Sequence, residues 1–377
     1  MSESAIDQQL MARAIQLAER GLYTTEPNPR VGCVLARDGE VVGEGWHVRA
    51  GEGHAEVNAL AQAGARARGA TAYVTLEPCS HFGKTPPCAD ALVKAGVSRV
   101  VAAMQDPNPQ VAGRGLQRLR DAGIEVSCGV LEAQARQLNP GFIKRMQQGL
   151  PWVRLKLAMS MDGRTAMASG ESQWITGPQA RADVQRLRAR SGAVISGADS
   201  VLLDDSALTV RAAELGLDGC LDADLAQAAA AQQPLRVLID GRLRVPLERR
   251  LFREAGPVLV VCNDTRQQQG AYAQQGAELV AMPGGEGQVD LPQLLRELAQ
   301  RGCNEVLVES GAALAGAFWR SALVDELIVY MAPRLLGSRA RPLLELPFDS
   351  MAEAMDLQIT DLRAVGNDWR ITACRAG

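Results

Sequence analysis

Apolar residues recur at helical spacing over residues 5 to 20, where Ile6, Leu10, Ala14, Leu17 and Ala18 share one face, with Asp7 near the start and Gly21 just past the end. A first helix is expected there. The period then shortens: Val31 to Ala36 and Val41 to Val42 are apolar runs on either side of Asp38-Gly39, a dipeptide that tolerates positive φ and suits a tight hairpin. Next come a helix over Ala55 to Ala63, a strand over Thr71 to Leu76, a helix over Cys88 to Ala95, a strand over Val100 to Met104, and one more helix and strand ending near Val130. Gly149-Leu150-Pro151 interrupts the pattern before a new strand, Trp152 to Ser160. Beyond it, helices at Pro178 to Arg190, Leu291 to Ala299 and Gly311 to Ser321 are expected. They alternate with strands at Ala193 to Ser196, Leu235 to Asp240, Val258 to Val261, Val306 to Glu309 and Glu326 to Met331. Both parts therefore read as α/β, the second with a largely parallel sheet, divided as residues 1–148 and 150–377. The Ala-, Asp- and Gln-rich stretch from Ala212 to Gln233 reads as a surface insertion, partly helical.

Length and composition agree with two ordinary domains, since 377 residues at 47% hydrophobic and 22% charged can bury two cores. Residues 1–150 carry 16 Lys and Arg against 15 Asp and Glu, and only four of the chain's 40 basic residues are Lys. No run of like charge supports a nucleic-acid arm or a basic membrane patch. The opening MSESAIDQQL lacks the basic start and apolar core of a leader, and no stretch has the roughly 18 apolar residues of a span. A cytoplasmic location with no membrane partner is expected.

The eight cysteines are scattered, at 33, 79, 88, 128, 220, 262, 303 and 374, so they are buried hydrophobes, metal ligands or nucleophiles rather than a disulfide framework. All three histidines, His47, His54 and His81, lie in the first 81 residues. His54-Ala55-Glu56, followed by Pro78-Cys79 and then Cys88, is the sharpest chemical signal. One imidazole and two thiolates supply three zinc ligands and leave a fourth position for water. Glu56, two residues from His54 at a helix start, can shuttle protons without binding the metal. Zinc nucleobase deaminases divide the labour in this way. Two plainer readings remain: buried packing cysteines, or a closed structural zinc site with His81 as the fourth ligand. Cys33 sits in an apolar strand and reads as core.

The interval Cys79-Ser-His-Phe-Gly-Lys-Thr-Pro-Pro-Cys88 is longer than the P-C-x-x-C of cytidine-type deaminases and resembles the loop of the bifunctional riboflavin-biosynthesis deaminase and reductase family. The likeness extends through Pro27-Asn28-Pro29-Arg30-Val31-Gly32, Gly43, Gly45, His47 and Gly51, and covers nearly the whole chain. It implies a cytidine-deaminase-like domain that hydrolyses the 2-amino group of a phosphoribosylated diaminopyrimidinone. His54, Cys79 and Cys88 would hold one zinc ion, Glu56 would be the shuttle, and Asn28, His47, His81, Lys84 and Thr85 would line the substrate pocket.

Lys156 to Arg164 resembles the opening strand and turn of that family's reductase domain, which has a dihydrofolate-reductase-like fold and uses NADPH. The resemblance implies substrate contacts at Lys156, Ser172, Arg188, Leu208, Arg211 and Glu309, and cofactor contacts at Ala158, Trp174, Ser200, Asp204 and Gly311. Two arginines near a ribose phosphate make chemical sense, because a guanidinium fork matches a phosphate bidentately. Ser310-Gly311 and Asp205-Ser206 depart from the family's usual Gly-Gly and Asp-Pro. The resemblance also implies a homodimer or higher homo-oligomer. The competing readings are a deaminase of free cytidine nucleotides or RNA fused to an unrelated reductase-like domain, and a zinc protein without catalysis. Near-neutral charge in residues 1–150 disfavours RNA, and free-nucleotide deamination would leave the second domain unexplained.

Overall fold

The computed structural model describes residues 3–80, 86–109, 111–215, 221, 223–264 and 269–376. The chain divides into two compact units, Met1–Leu150 and Pro151–Gly377.

In the first unit a five-stranded sheet runs in the order Glu40–Trp46, Gly32–Arg37, Thr71–Val74, Arg99–Ala102, Glu125–Cys128. The first two strands form the expected hairpin, with Arg37 opposite Glu40, and both turn residues, Asp38 and Gly39, have positive φ. The last three strands are parallel, joined through the helices Cys88–Ala95 and Arg114–Asp121. The helix Ala55–Ala63 lies so close to the hairpin that a Cβ on Gly45 would stand 2.4 Å from both Ala55 O and Ala59 N. Only glycine permits that approach, and it fixes the helix that carries Glu56. Leu92, Val74, Val100 and Leu119 are buried in the core beneath it.

The second unit is built on a nine-stranded sheet. Its order is Ala277–Ala281, Val258–Cys262, Leu235–Ile239, Ala193–Gly197, Glu305–Glu309, Trp152–Ser160, Glu326–Ala332, Asp368–Arg375, Leu357–Val365. Seven strands are parallel and the last two antiparallel. The interior strands are nearly continuous in Val, Leu and Ile because helices cover the sheet. Ionic contacts replace hydrocarbon at two buried places: Arg154 between Glu305 and Glu326, and Asp183 between Tyr330 and Arg370.

Three of the differences from the sequence reading stand out. Helices Glu132–Leu138 and Pro140–Gln148 fill the interval before the boundary, where none was expected. The C-terminal hairpin was missed too: an irregularity between Ile359 and Asp361 breaks the two-residue alternation of Leu357–Val365. The stretch Ala212 to Gln233 is more integrated than a surface insertion, since Leu215, Ala226 and Ala229 are buried and Gln233 bonds to both backbone groups of Val210. Alanine is apolar enough to pack a helix face yet gives a weak periodic signal.

Candidate active sites

Three backbone ends deliver the metal-binding set of the first unit. His54 is the N-cap residue of the helix Ala55–Ala63, Cys88 opens the helix Cys88–Ala95, and Cys79 follows the strand Thr71–Val74 by five residues. Ala89 N donates to Cys79 O at 3.2 Å, and Cys88 N donates to Cys79 Sγ at 3.2 Å, which closes the loop between the two cysteines. His54 Nδ1 lies 3.6 Å from Cys79 Sγ and 3.3 Å from Cys88 Sγ, and all three donor atoms fall within 4.8 Å of one another.

Zinc bonds of about 2.3 Å to sulfur and about 2.0 Å to nitrogen in a tetrahedron place nitrogen and sulfur about 3.6 Å apart. The donor set fits that ion. Hydrogen bonding with Cys88, and then with His54, brings the Cys79 thiol down to about 4 against the effect of burial. The same contact pushes Cys88 the other way, so these two sulfurs share a proton that a dication would displace. Glu56 is buried beside them, and burial lifts its carboxyl to about 7, with the Cys79 charge adding to the effect. Cys33 is buried in its strand as expected.

His47 and Asn28 meet at this site. His47 Nδ1 lies 3.1 Å from Gly53 O and Nε2 lies 3.0 Å from Asn28 Nδ2. A carbonyl can only accept, so Nδ1 carries the proton and Nε2 accepts from the Asn28 amide. Burial lowers the His47 pKa and keeps the ring neutral. The rings of His47 and His54 stand edge to face, 5.2 Å apart. The expected pocket residues His81, Lys84 and Thr85 lie outside the described residues.

Sequence reasoning missed Glu77. Its buried carboxylate accepts from four backbone N–H groups, those of Asp106, Gly113, Gly115 and Leu116, at 2.8 to 3.3 Å. An acidic residue directly before Pro78-Cys79 was the available signal.

In the second unit, all the expected reductase residues line one cleft of about 1450 Å³. That is larger than the usual 300–1,000 Å³ of a single small-molecule site and leaves room for a dinucleotide with a second ligand. Lys156 and Ala158 come from the strand Trp152–Ser160, Glu309 ends a neighbouring strand, and Gly311 caps the helix Ala312–Arg320, its N–H donating to Ser200 Oγ at 3.0 Å. Ser172 Oγ donates to Asp204 at 2.7 Å. Arg188 is buried with its fork on Glu309, at 2.5 and 2.9 Å, and donates a third time to Thr209 O. Lys156 faces Glu309 as well, but burial outweighs that carboxylate and lowers the lysine pKa. Arg211 is half-exposed and bonded to Glu214. Leu208 is buried with a positive φ of 57°. Trp174 is exposed, with the Arg181 guanidinium 4.5 Å from its ring and Arg334 donating to its carbonyl; neither arginine had been singled out.

Comparison with known proteins matches residues 4–104 to the cytidine and deoxycytidylate deaminase zinc-binding region and residues 151–371 to the RibD C-terminal domain. Riboflavin biosynthesis protein RibD of Escherichia coli K12 is 53% identical over 96% of this chain and 97% of its own length. The chain belongs to the RibD family. The RibD of Haemophilus influenzae is 50% identical over 98% of this chain and 97% of its own length. Among solved structures, Acinetobacter baumannii RibD superposes with a TM-score of 0.90 at 47% identity, covering 100% of both chains. A Thermotoga maritima diaminohydroxyphosphoribosylaminopyrimidine deaminase and 5-amino-6-(5-phosphoribosylamino)uracil reductase superposes with a TM-score of 0.84 at 31% identity over 99% of both.

Proposed function

We propose that the chain has both activities named for the Thermotoga relative, deaminase and reductase, and that they are zinc-dependent hydrolytic deamination of the phosphoribosylated diaminopyrimidine and then NADPH-dependent reduction of the ribosyl group to a ribityl chain. The observation that carries the reading is the convergence of His54, Cys79 and Cys88 beside buried Glu56 in a chain with this family membership.

In the first reaction, His54, Cys79 and Cys88 would hold a zinc ion, which would supply Lewis acidity to a water. Glu56 takes the proton from the attacking water and delivers it to the departing amino group, which leaves as ammonia. His47 fixes the Asn28 amide nitrogen, so the Asn28 carbonyl oxygen is left to accept from the substrate. His81, Lys84 and Thr85 belong to the same proposed pocket.

In the second reaction, NADPH bound in the cleft would supply the hydride that reduces carbon 1 of the ribosyl group. Glu309 and Lys156 hold the substrate in the cleft, with Ser172 and Leu208 beside it. Arg188 orients Glu309 and screens its charge, while the more exposed Arg211 meets the substrate phosphate. Ala158, Trp174, Ser200, Asp204 and Gly311 serve the cofactor.

The chain works in the cytoplasm and associates as a homodimer or higher homo-oligomer. No described helix is long and apolar enough to cross a membrane. The edge strand Leu357–Val365 exposes Leu357, Ile359 and Leu362, a surface that a second copy would cover. Ultraviolet-monitored turnover of the diaminopyrimidine with and without NADPH tests the function. Deamination alone without NADPH, and both steps with it, is the expected result; turnover of cytidine nucleotides instead would refute it.

A further inference from the structure

The helices Glu132–Leu138 and Pro140–Gln148 follow the last strand of the first unit's sheet, and the reactions described above give them no part. Asn139, the residue between them, reaches back to the loop that carries Asn28. Its Oδ1 accepts from Arg30 N at 2.8 Å and its Nδ2 donates to Arg30 O at 2.8 Å. The amide thus pairs with both backbone groups of one residue, as a neighbouring strand would. Arg30 returns the contact, its Nη1 donating to Leu138 O at 2.7 Å. Asn139 and Arg30 are each 5% exposed, so water does not compete for these bonds. The side chain is also turned away from its usual task. Asn139 is the N-cap residue of the helix Pro140–Gln148, where asparagine ordinarily accepts from a first-turn N–H, yet its side chain makes no capping bond. The helix start goes without that cap while a loop 109 residues earlier is held.

The loop meets the site on its other side. Val31 O accepts from His47 N at 2.9 Å, and the Asn28 amide lies 3.0 Å from His47 Nε2. Arg30 stands two residues after Asn28 and one before Val31, and the rings of Pro27 and Pro29 restrict φ on either side of Asn28. With so little backbone freedom between them, an anchor at Arg30 passes almost directly to Asn28. We propose that Asn139 is a positioning residue of the deaminase site: by pairing with both backbone groups of Arg30 it holds the Asn28 amide where the substrate meets it. The inference rests on the deaminase reading above and on the substrate role given there to Asn28. The two helices then support the deaminase site and are more than a link to the second unit.

The test is a double-mutant cycle on deamination by the full chain, read together with amide hydrogen exchange. Asn28→Ala should lose about tenfold in kcat/KM, as expected for one substrate hydrogen bond. Asn139→Ala should lose about tenfold too, and the double variant no more than about threefold beyond Asn28→Ala, because a misplaced amide and a missing one are the same defect. Damage to the fold would instead give losses that multiply. Asn139→Asp has the same size and caps a helix as well as asparagine does, but it offers Arg30 O an oxygen in place of a donor, so it should lose about tenfold as well. Where Asn139→Ala does not fold, Asn139→Asp carries the cycle. Exchange at the Arg30 amide should accelerate in both Asn139 variants, while zinc content and reduction of the deaminated substrate match wild type. Deamination within about twofold of wild type in either Asn139 variant overturns the proposal, as do losses that multiply in the double variant or unchanged exchange at Arg30. If Asn28→Ala deaminates normally, the substrate role of Asn28 falls and the proposal with it. A wild-type chain that turns over no diaminopyrimidine refutes the deaminase reading itself.

Discussion

Replacing Glu77 by Ala removes the acceptor for four backbone N–H groups on the segment 106–116, which ends in the first turn of the helix Arg114–Asp121. The Asp106 and Gly113 donors are partly exposed and can turn to water. Those of Gly115 and Leu116 are buried, with contacts of 2.8 and 3.3 Å. A buried donor left unsatisfied costs about 1 to 3 kcal/mol, and the longer Leu116 contact belongs at the low end, so the two together cost about 3 kcal/mol. The carboxylate also faces the positive end of that helix, which the variant loses. Glu77→Gln is no rescue, because its amide nitrogen would point a donor at N–H groups. With a urea dependence of about 1 to 3 kcal/mol per molar, the midpoint of the first unit should fall by about 1 to 3 M. Release of zinc to a chromogenic chelator along the urea titration reports that unit, because Cys79 lies two residues from Glu77. Hydrogen exchange at residues 113–116 should accelerate in parallel. A midpoint within about 0.3 M of wild type, with unchanged exchange at those amides, would refute the reasoning.

Zinc should be present at about one ion per chain, and Cys79→Ser or Cys88→Ser should each release it; full zinc by elemental analysis in either variant removes that residue from the ligand set. Glu56→Gln should keep zinc and fold but lose about a hundredfold or more in deamination, with reduction of the deaminated substrate unaffected; normal deamination would show that Glu56 is not the shuttle. Arg211→Ala should weaken the phosphorylated reductase substrate by about tenfold or more and a dephosphorylated analogue little, and an equal loss for both would assign Arg211 to the fold. Fragments cut between Leu150 and Pro151 should each retain their own reaction, the first without NADPH; fragments active only when mixed would show that the units depend on one another.

The two sites were legible to different degrees because their geometry is encoded at different ranges. His54 and Cys88 sit at helix starts, and Cys79 follows a strand end, so short-range pattern placed each donor on its element and local spacing carried the chemistry. Glu77 escaped because its partners begin 29 residues away, and nothing in the local sequence shows which N–H groups a carboxylate will meet. The reductase cleft gathers Lys156, Ser172, Arg188, Ser200 and Glu309 from two strands, two helices and a loop spread over more than 150 residues. Register across a parallel sheet decides such a set, so only the family resemblance singled those residues out.

Composition also concealed the anion-binding character of the second unit, and the contacts in the cleft explain why. Arg188 is held by Glu309, Arg211 by Glu214 and Arg244 by Asp199. These three arginines of the cleft each arrive with their own carboxylate, and the net charge of −3 gives no hint of an anionic ligand. The pairing has a physical consequence. A cleft of unpaired arginines would repel itself when empty and attract any polyanion, whereas paired arginines stay in place and charge a newcomer the cost of sharing a partner. That cost is low where the pair is exposed, as at Arg211 and Arg244, since water already screens both charges. It is high at Arg188, whose side chain is 11% exposed and whose fork is filled by Glu309 and Thr209 O. Phosphates should therefore exchange partners at the exposed arginines, while the buried one holds Glu309 in place throughout turnover.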